Sequence, residues 1–478
     1  MNNDVPLTSD ARDHVTGSVT NRSAFTIGLS LFLFLCCAYG TAINSSNLTA
    51  FQLQQAGVEA IVERKQFSLE GSAAPQLTFR VYYHRGRPFG DTFLYKGRQY
   101  AAKQPGQFMA GSVIYFFLHL LGLSYVNDYL LVSALVTFFT TSIATAAAGC
   151  AVFAAARELA GEDSVTWPLG VALAYGLGTP AFVYSGIAHH DQLSSSYLMI
   201  AFYLVLLLAR RKVSGHIEKV IAGGAGLLLG LTLTTSVLPI LMVIVIAIYL
   251  ASLGKRKLIA AALIGALVGL APMLIYNAAA FGNPLLLPNV AGGYQDTFLM
   301  LDPRKSLGHT SFYASALTLY APVFWVGVVG VIFYPRELRR EQLVLGILVA
   351  SLAILVLNIE TDGGCQYGPR YFLPAMPYAC LGLIGFRYLR RSTLRLWGTV
   401  IVLLSAVASF LISLVGAVYG AMYCETEQYA LWRYLSALTR GEWNSSPLTK
   451  WLIGPLIISL ALLVLTTRRY ARKQAFIY

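Results

Sequence analysis

The segment FMAGSVIYFFLHLLGL, which runs from Phe108 to Leu123, decides how the whole chain is threaded through a membrane. As a helix its 16 residues would reach about 24 Å, which is short of the ~30 Å hydrocarbon core of a bilayer. If the segment lies flat, the short basic loops after it share one side and hold 19 Lys and Arg residues, against six in the loops opposite. A spanning segment would invert this bias. Because cytoplasmic loops are enriched in Lys and Arg, we predict a helix that lies in the membrane interface.

The composition is that of a polytopic membrane protein. Of the 478 residues, 56% are hydrophobic and only 12% are charged, unlike the usage of soluble domains. The net charge of +13 arises from Lys and Arg in short loops between apolar runs, as orientation in a membrane requires, so nucleic acid is excluded as a partner. The predicted fold is all-α, with about twelve transmembrane helices and an amphipathic juxtamembrane helix in the first external loop. The predicted spans are Ala24–Ala42, Tyr129–Ala156, Pro168–Ser185, Leu193–Ala209, Val220–Ser236, Val237–Leu253, Leu258–Ala280, Leu317–Tyr334, Leu343–Ile359, Phe372–Phe386, Leu396–Tyr419 and Trp451–Leu465.

The sequence predicts a cytoplasmic tail over residues 1–23 and a single transmembrane domain over 24–478, with both termini cytoplasmic. Four segments outside the membrane are large or polar, namely 43–107, 281–316, 360–371 and 420–450. No soluble domain and no internal repeat accompany the spans, so function is expected at the outer face. Of the six cysteines, Cys365 and Cys424 lie in external segments and could pair in an oxidising compartment.

The first external loop contains a predicted amphipathic helix, Leu48–Val62, followed by a basic segment. Its cations include Lys96, Arg98 and Lys103, and between Arg80 and Gln107 its only acid is Asp91. Clustered cations beside a bilayer suit an anionic headgroup, because Arg binds phosphate bidentately and Lys acts as a point charge. The alternative is general attraction to anionic lipids. Lys103 fits that alternative less well, because Gln104-Pro105-Gly106 hold it at the start of the predicted surface helix.

Two further external turns are rich in polar groups. His189, His190 and Asp191 lie between two predicted spans, where they could form a polar site, act as acid or base, or bind a metal. The alternative is a polar turn in which Asp191 is the N-cap of the next helix. In NIETDGGCQYGPRYFLP, Glu360 and Asp362 could share a cation or flank a nucleophile, and Arg370 could hold a phosphate. The alternative there is an internally salt-bridged turn.

These pieces, in this order, resemble the membrane-embedded GT-C superfamily of glycosyltransferases, and within it the group of protein O-mannosyltransferases and aminoarabinose transferases. The resemblance covers residues 24 to about 390 and rests on three patterns together with Asp191 after the third span. One pattern is Y-x-G-x-x-Y-x-x-K-x-P-G, a second is N-x-x-x-F-G-x-P and a third is G-P-R-Y. Their residues here are Tyr95, Gly97, Tyr100, Lys103, Pro105 and Gly106, then Asn277, Phe281, Gly282 and Pro284, then Gly368 to Tyr371.

The resemblance implies transfer of a sugar from a polyprenyl-phosphate donor, of the inverting type, at the outer face of a membrane. It assigns phosphate contacts to Lys103 and Arg370, and we group Lys96, Arg98 and Tyr100 with them. His189, His190 and Tyr371 complete the polar site. A carboxylate is expected as the base, but Asn44-Ser45-Ser46-Asn47 stand where the family has an acidic residue. The candidate bases are therefore Asp91, Asp191, Glu360 and Asp362.

The predicted function is thus a glycosyltransferase of the bacterial inner membrane whose partners are a polyprenyl-phosphate sugar and membrane lipids. No cofactor is required by these residues, and a divalent cation is left open. The competing prediction is a transporter or flippase of lipid-linked saccharides, but the spans carry few ionisable residues, which argues against a charged path at the bilayer midplane. A scaffold that has lost its active site is favoured only by the missing acid near Asn44.

Overall fold

The computed structural model describes residues 9–84, 87–89, 91–161, 165–211, 215–293, 303–359, 366–421 and 430–477. These ranges are almost entirely helical, and the strands among them are short: β1 (Tyr82–His84), β2 (Arg87–Phe89), β3 (Thr92–Tyr95) and β4 (Arg98–Ala101). The α-helices are α1 (Ser9–Thr41), α2 (Ser45–Ala50), α3 (Gln52–Val62), α4 (Gly106–Leu120), α5 (Tyr125–Thr137), α6 (Ile143–Ala160), α7 (Thr166–Gly178), α8 (Pro180–Ser185), α9 (His190–Arg210), α10 (Gly215–Thr235), α11 (Ile240–Ala251), α12 (Arg256–Phe281), α13 (Pro288–Ala291), α14 (Pro303–Tyr320), α15 (Pro322–Gly330), α16 (Arg339–Leu357), α17 (Met376–Gly382), α18 (Ser392–Tyr419), α19 (Ala430–Thr439) and α20 (Thr449–Ile477). A π-helical turn (Phe138–Ser142) joins α5 to α6, and 3₁₀ turns occupy Pro75–Leu77, Val331–Phe333, Arg336–Leu338, Arg370–Ala375 and Leu383–Tyr388.

The structure confirms a polytopic, all-helical membrane architecture but not the count of twelve spans. In the described ranges eight helices are long and apolar enough to cross a bilayer, and a ninth span results if one bent pair is counted. The eight are Ser23–Thr41, Tyr125–Ala160, His190–Arg210, Gly215–Thr235, Arg256–Phe281, Arg336–Leu357, Ser392–Tyr419 and Thr449–Arg472. Each coincides with one of the twelve predicted runs.

The other four predicted runs are helical but short or interrupted, and each interruption carries a proline. Pro180 separates α7 from α8, Pro239 precedes the 12-residue α11, and Pro322 stands at the 101° bend between α14 and α15. The last run alternates between 3₁₀ and α-helix around Pro374 and Pro377. Proline lacks an N–H and disfavours helical backbone at the residue before it, so apolar runs that read as continuous spans are divided here.

The segment around Phe108 forms α4, a 15-residue helix that is too short to count among the candidate spans. Phe108 and Tyr115 are buried on one side, whereas Phe117 and Leu120 are about two-thirds exposed on the other. A helix that exposes large apolar side chains beside a bundle is typical of the membrane interface. Its position in the membrane remains a prediction.

The predicted amphipathic helix Leu48–Val62 is divided into α2 and α3, which break at Phe51. Its polar face is buried: Gln55 bonds with the Tyr125 hydroxyl over 2.5 Å, and Glu59 pairs with Arg64 at 2.6 Å. Helix α3 crosses α4 closely, because a side chain at Gly57 would lie 2.7 Å from the Phe108 ring. The first loop is therefore a packed layer and not a loose amphipathic surface.

A second close crossing holds the end of α10 in place. Gly230 of α10 and Gly269 of α12 face each other, so that a side-chain carbon on either would lie 2.9 Å from the other's Cα. Small residues at such a crossing let two helix backbones approach closely inside a membrane. The crossing fixes the segment Thr234–Ser236, which contributes to the site described below.

Candidate functional site

Strands β3 and β4 form a hairpin that brings Asp91 and Lys103 together. Its turn is Lys96-Gly97, with φ of +49° and +79°, the left-handed pair that a two-residue type I′ hairpin requires. Beyond the last strand pair, Thr92 with Ala101, the amide of Ala102 donates to the Asp91 carbonyl over 2.7 Å. Asp91 and Lys103 therefore leave the base of the hairpin side by side, and Lys103 Nζ lies 2.9 Å from Asp91 Oδ1.

The hairpin is docked on the end of α12 by aromatic side chains. The rings of Tyr95 and Tyr100 each lie 5.3 Å from the Phe281 ring, and the Tyr95 hydroxyl donates to the Phe281 carbonyl over 3.3 Å. Helix α12 ends at Gly282, whose φ is +75°. Two of the sequence patterns that carried the family resemblance thus contact each other. Tyr95, Tyr100 and Phe281 support the hairpin that holds Asp91 and Lys103.

The start of α4 fixes Lys103 from the other side. Gln104 Nε2 donates to Asn289 Oδ1 over 3.1 Å. A side-chain carbon at Gly106 would collide with the Thr235 hydroxyl and lie 2.7 Å from Thr235 Cα. Only glycine allows this contact, so the Pro105-Gly106 pair presses the end of the basic segment against the end of α10.

His189, His190 and Asp191 are buried at the start of α9, with 0, 8 and 2% of each residue exposed. The N-cap is His189, whose Nδ1 accepts from the Asp191 amide over 3.2 Å. The alternative of Asp191 as N-cap is wrong, because the helix begins two residues earlier than that reading requires. The Asp191 carboxylate is held by Ser236, which donates to Oδ1 over 3.0 Å, and lies 3.4 Å from His190 Nε2.

Arg370 reaches the same place from the G-P-R-Y segment. Its Nη1 lies 3.2 Å from His189 Nε2, and its guanidinium lies over the Tyr371 ring, 5.1 Å from the centroid. Burial lowers the pKa of His189 well below its ordinary value, so the imidazole is neutral and has one acceptor nitrogen. The Asp191 amide and the Arg370 guanidinium both present donors to it. His189 can therefore accept a hydrogen bond from only one of them.

We call these six residues, Asp91, Lys103, His189, His190, Asp191 and Arg370, the charged recess. Asp91 is at its mouth, with 62% of its side chain exposed, whereas the Asp191 side chain on its floor is 2% exposed. Lys103 lowers the pKa of Asp91 to about 2 against the opposing effect of burial, with help from Arg370 and His190. Burial works to lower the pKa of Lys103, but Asp91 and Tyr371 outweigh it, and the pKa is raised. Both groups at the mouth are charged at neutral pH.

An apolar groove of about 770 Å³ begins beside the charged recess. At one end it is lined by Gly106, Thr234 and Thr235, next to the Ser236 that holds Asp191. It continues between α3, α4 and α12 to Phe116 and Phe117 on the exposed side of α4. Its lining is almost wholly apolar, with Lys65 at the rim.

The structure does not bring all the candidate residues to the charged recess. Lys96 and Arg98 are exposed at the far end of the hairpin, with Lys96 Nζ 5.4 Å from the centroid of Tyr95. Tyr100 is buried against Phe281. Their roles in phosphate binding stay predictions. Glu360 and Asp362 lie outside the described residues, as do Cys365 and Cys424.

The asparagines that replace the expected acid have a structural role. Asn44 Oδ1 caps α2 by accepting from the Asn47 amide over 2.9 Å, while its Nδ2 donates to the Ala417 carbonyl over 3.1 Å. Asn47 Oδ1 in turn accepts from the Ala421 amide over 2.8 Å. Both side chains tie the first loop to the end of α18, and Asn44 does so with both the donor and the acceptor of its amide.

His189 does not fit as a metal ligand. Its Nδ1 faces a backbone amide and its Nε2 faces a guanidinium, so its one acceptor nitrogen is not free for a cation. Across the ranges that the structure describes, no three His, Cys, Asp or Glu side chains come together as a metal would require.

Sequence reasoning missed Tyr184 and Ser236, which both contact the charged recess. The Tyr184 ring lies 5.2 Å from the His189 ring. Ser236 stands in the Thr234-Thr235-Ser236 run, the only polar interruption between two apolar stretches. That interruption was the available signal for Ser236; Tyr184 gave none, since it lies within an apolar run.

No family model and no curated protein matches the chain. Among solved structures, it is similar to ArnT, an aminoarabinose transferase from Cupriavidus metallidurans, in the apo state: TM-score 0.50, 12% identity, 94% of this chain and 73% of that one. The structure of the same ArnT bound to undecaprenyl phosphate matches with a TM-score of 0.49 and 12% identity, over 94% of this chain and 76% of that one. The chain is also similar to the archaeal oligosaccharyltransferase AglB from Archaeoglobus fulgidus in complex with an inhibitory peptide and a dolichol-phosphate. That match has a TM-score of 0.45 and 12% identity, over 90% of this chain and 59% of that one. The similarity to apo ArnT confirms the predicted polytopic, all-α membrane fold.

Proposed function

We propose that the protein is a membrane glycosyltransferase that takes a sugar from a polyprenyl-phosphate donor and transfers it to a glycan, lipid or protein acceptor. The observation that carries this proposal is the position of two cations, Lys103 and Arg370, at the end of an apolar groove. A lipid phosphate is the ligand that needs both features at once. ArnT, which has a similar fold, binds undecaprenyl phosphate.

The phosphate of the donor is bound by Lys103 and Arg370. Arg370 and the Asp191 amide both present donors to His189, and a phosphate oxygen would be a further acceptor for the N–H donors of the guanidinium. Lys103 pairs with Asp91 and with no other acid in the part of the chain that the structure describes, so its remaining N–H donors can turn to the same phosphate. As the sugar leaves, negative charge grows on this phosphate, and fixed cations stabilise that charge.

The polyprenyl chain occupies the apolar groove. The groove starts at Gly106 and Thr235, next to the charged recess, and ends at Phe116 and Phe117 on the side of α4 that faces lipid in the predicted orientation. A chain entering from the bilayer would place its phosphate at Lys103 without crossing a polar layer.

Asp91 is the base in this proposal. It lies at the open mouth, where an acceptor hydroxyl can arrive, whereas Asp191 is enclosed. The acceptor oxygen loses its proton to Asp91 and attacks the anomeric carbon, the bond from that carbon to the phosphate oxygen breaks, and polyprenyl phosphate leaves. A single displacement inverts the anomeric configuration. Phosphate bound to Lys103 weakens the Asp91–Lys103 pair, which raises the pKa of Asp91 and makes it a better base.

The site is assigned to the outer face of a bacterial inner membrane, with both termini cytoplasmic. This follows from the Lys and Arg bias of the loops together with the short interfacial α4. On this assignment the loops 43–107, 281–316, 360–371 and 420–450 are external, and the transmembrane domain is 24–478.

The test is donor turnover by the purified protein in lipid nanodiscs with undecaprenyl-phosphate sugars. Lys103→Met and Arg370→Gln should each reduce turnover about 100-fold or more, because each removes a fixed charge from the leaving phosphate. Lys450→Met is the matched control: Lys450 is exposed beside Trp451 and does not act on the charged recess. Normal turnover in both recess variants would contradict the phosphate roles, and NMR of the product tests inversion.

A transporter or flippase of lipid-linked saccharides is the second candidate, because the interrupted helices include a 101° bend between α14 and α15, and discontinuous helices form many transporter sites. The charged recess, however, lies at the end of the bundle and not at its middle. Lipid flipping in liposomes without cleavage of the sugar–phosphate bond would favour this candidate over the transferase.

A further inference from the structure

We infer that Tyr184, Asp191 and Arg370 together bind a hydroxyl of the sugar on the donor lipid. The inference rests on the proposed function and adds a subsite to it. Three buried polar atoms carry it: among the residues that the structure describes, the Tyr184 hydroxyl, Asp191 Oδ2 and Arg370 Nε have no hydrogen-bond partner.

The three groups surround one imidazole. His189 contacts the Tyr184 ring edge-on at 5.2 Å, lies 3.2 Å from Arg370 Nη1, and has its Nδ1 3.8 Å from Asp191 Oδ2. Tyr184 is fully buried and Asp191 almost so. Buried polar groups normally find partners, so three without one around a single side chain indicate a ligand.

The chemistry of these atoms selects a hydroxyl and not a phosphate. Asp191 Oδ2 can only accept, and its charge would repel an anion. Arg370 Nε can only donate, and the Tyr184 hydroxyl can do both. A sugar hydroxyl, which donates once and accepts twice, matches all three. Because the Asp191 side chain is buried and the Asp91 side chain is exposed, we assign the donor sugar to Asp191 and the acceptor to Asp91.

His189 and Ser236 are positioning residues in this subsite. Ser236 occupies Asp191 Oδ1, which leaves Oδ2 for the ligand. His189 holds Arg370 and Asp191 on either side of its ring. The π-helical turn and α8 place Tyr184 behind that ring, with Ser142 Oγ donating to the Ser185 carbonyl over 2.8 Å.

The experiment measures thermal stabilisation and binding with two probes, undecaprenyl phosphate and undecaprenyl phosphate carrying glucose, mannose or 4-amino-4-deoxyarabinose. No acceptor is present. In the wild type, at least one glycosylated lipid should stabilise the protein more than undecaprenyl phosphate does. Tyr184→Phe should weaken the binding of that lipid about threefold to tenfold, which is the effect of losing one hydrogen bond. The binding of undecaprenyl phosphate should stay unchanged.

The melting temperature of the unliganded protein is a second measurement, and there Tyr184→Phe should not be destabilising. Tyr184→Phe removes a buried hydroxyl without a partner, so its own melting temperature should stay the same or rise. Tyr378→Phe is the matched control. Among the described residues the Tyr378 hydroxyl is likewise buried and without a hydrogen-bond partner, but it lies in the helix core against Phe202. The variant should bind both lipid probes as the wild type does. Asp191→Asn, which keeps the shape of the side chain, is the second variant and should also weaken only the glycosylated lipid.

Four outcomes overturn the inference: no glycosylated lipid exceeds undecaprenyl phosphate, Tyr184→Phe keeps the full gain, it weakens both probes equally, or Tyr378→Phe has the same effect. Failure of the proposed function is distinguishable, since the wild type would then bind neither undecaprenyl phosphate nor its glycosylated forms.

Discussion

At the scale of single residues, the charged recess depends on side chains that compete for partners. Lys103 and Asp91 pair at 2.9 Å, while Arg370 and the Asp191 amide share one imidazole. The sequence predicted Lys103, Arg370, Asp91 and Asp191 as site residues, since each is a polar group in an external turn. It could not predict that Tyr184 stands behind His189, because a tyrosine in an apolar run has no local signal of its contacts.

Asp91 provides a pH-dependent test of the ion pair. Its pKa falls from an ordinary 3.8 to about 2, chiefly because of Lys103. A depressed pKa means that the carboxylate stabilises the folded protein above pH ~4 and that this contribution is lost as the pH falls toward ~2. The melting temperature of Asp91→Asn should therefore lie below that of the wild type at neutral pH, and the difference should close in this acid range.

The control for Asp91→Asn is Glu442→Gln. Glu442 pairs with Arg440 at 2.7 Å on the exposed surface, and exposed ion pairs contribute little to stability. The melting temperature of Glu442→Gln should differ less from that of the wild type than the melting temperature of Asp91→Asn does at neutral pH. A difference for Asp91→Asn that stayed constant from pH 7 to pH 3 would show that the pair with Lys103 does not stabilise the folded chain.

At the scale of elements, the structure explains what the sequence patterns do. The tyrosines of the first pattern and Phe281 of the second dock a hairpin on α12, and Gly106 lets α4 meet α10. Apolar periodicity located all twelve helical runs, because hydrophobicity is a local property. It failed to show where four of them break, because the effect of a proline depends on whether neighbouring helices replace the lost hydrogen bond.

Gly106→Ala tests the contact between α4 and α10. The added carbon would meet Thr235 Cα and the Thr234 backbone, which cannot rotate away, so the helices must separate and Lys103 must shift with them. We expect a loss of about 1–3 kcal/mol in the free energy of unfolding and weaker undecaprenyl phosphate binding. Gly170→Ala in α7 is the control: nothing lies within 4 Å of the added carbon, and alanine favours a helix. Equal stability of the two variants would contradict the close contact.

At the scale of the whole molecule, the proposed function depends on which side of the membrane holds the charged recess. The prediction came from the Lys and Arg bias of the loops, and the structure adds that the hairpin, the recess and the groove all lie at one end of the bundle, with α4 beside them. The orientation in the membrane is set by the Lys and Arg residues of the loops while the chain inserts into the bilayer.

Cysteine labelling determines that orientation. Lys96 at the tip of the hairpin and Lys255 before α12 are both exposed, so Lys96→Cys and Lys255→Cys present accessible thiols at the two predicted faces. Both are made in a background in which Cys365 and Cys424 are serine; Cys36, Cys37 and Cys380 are buried and should not react. In intact spheroplasts a membrane-impermeant maleimide should label Lys96→Cys alone, and Lys255→Cys only after permeabilisation. The reverse pattern would place the charged recess in the cytoplasm, where the donor would have to be presented from the inner leaflet, and would contradict the outer-face assignment.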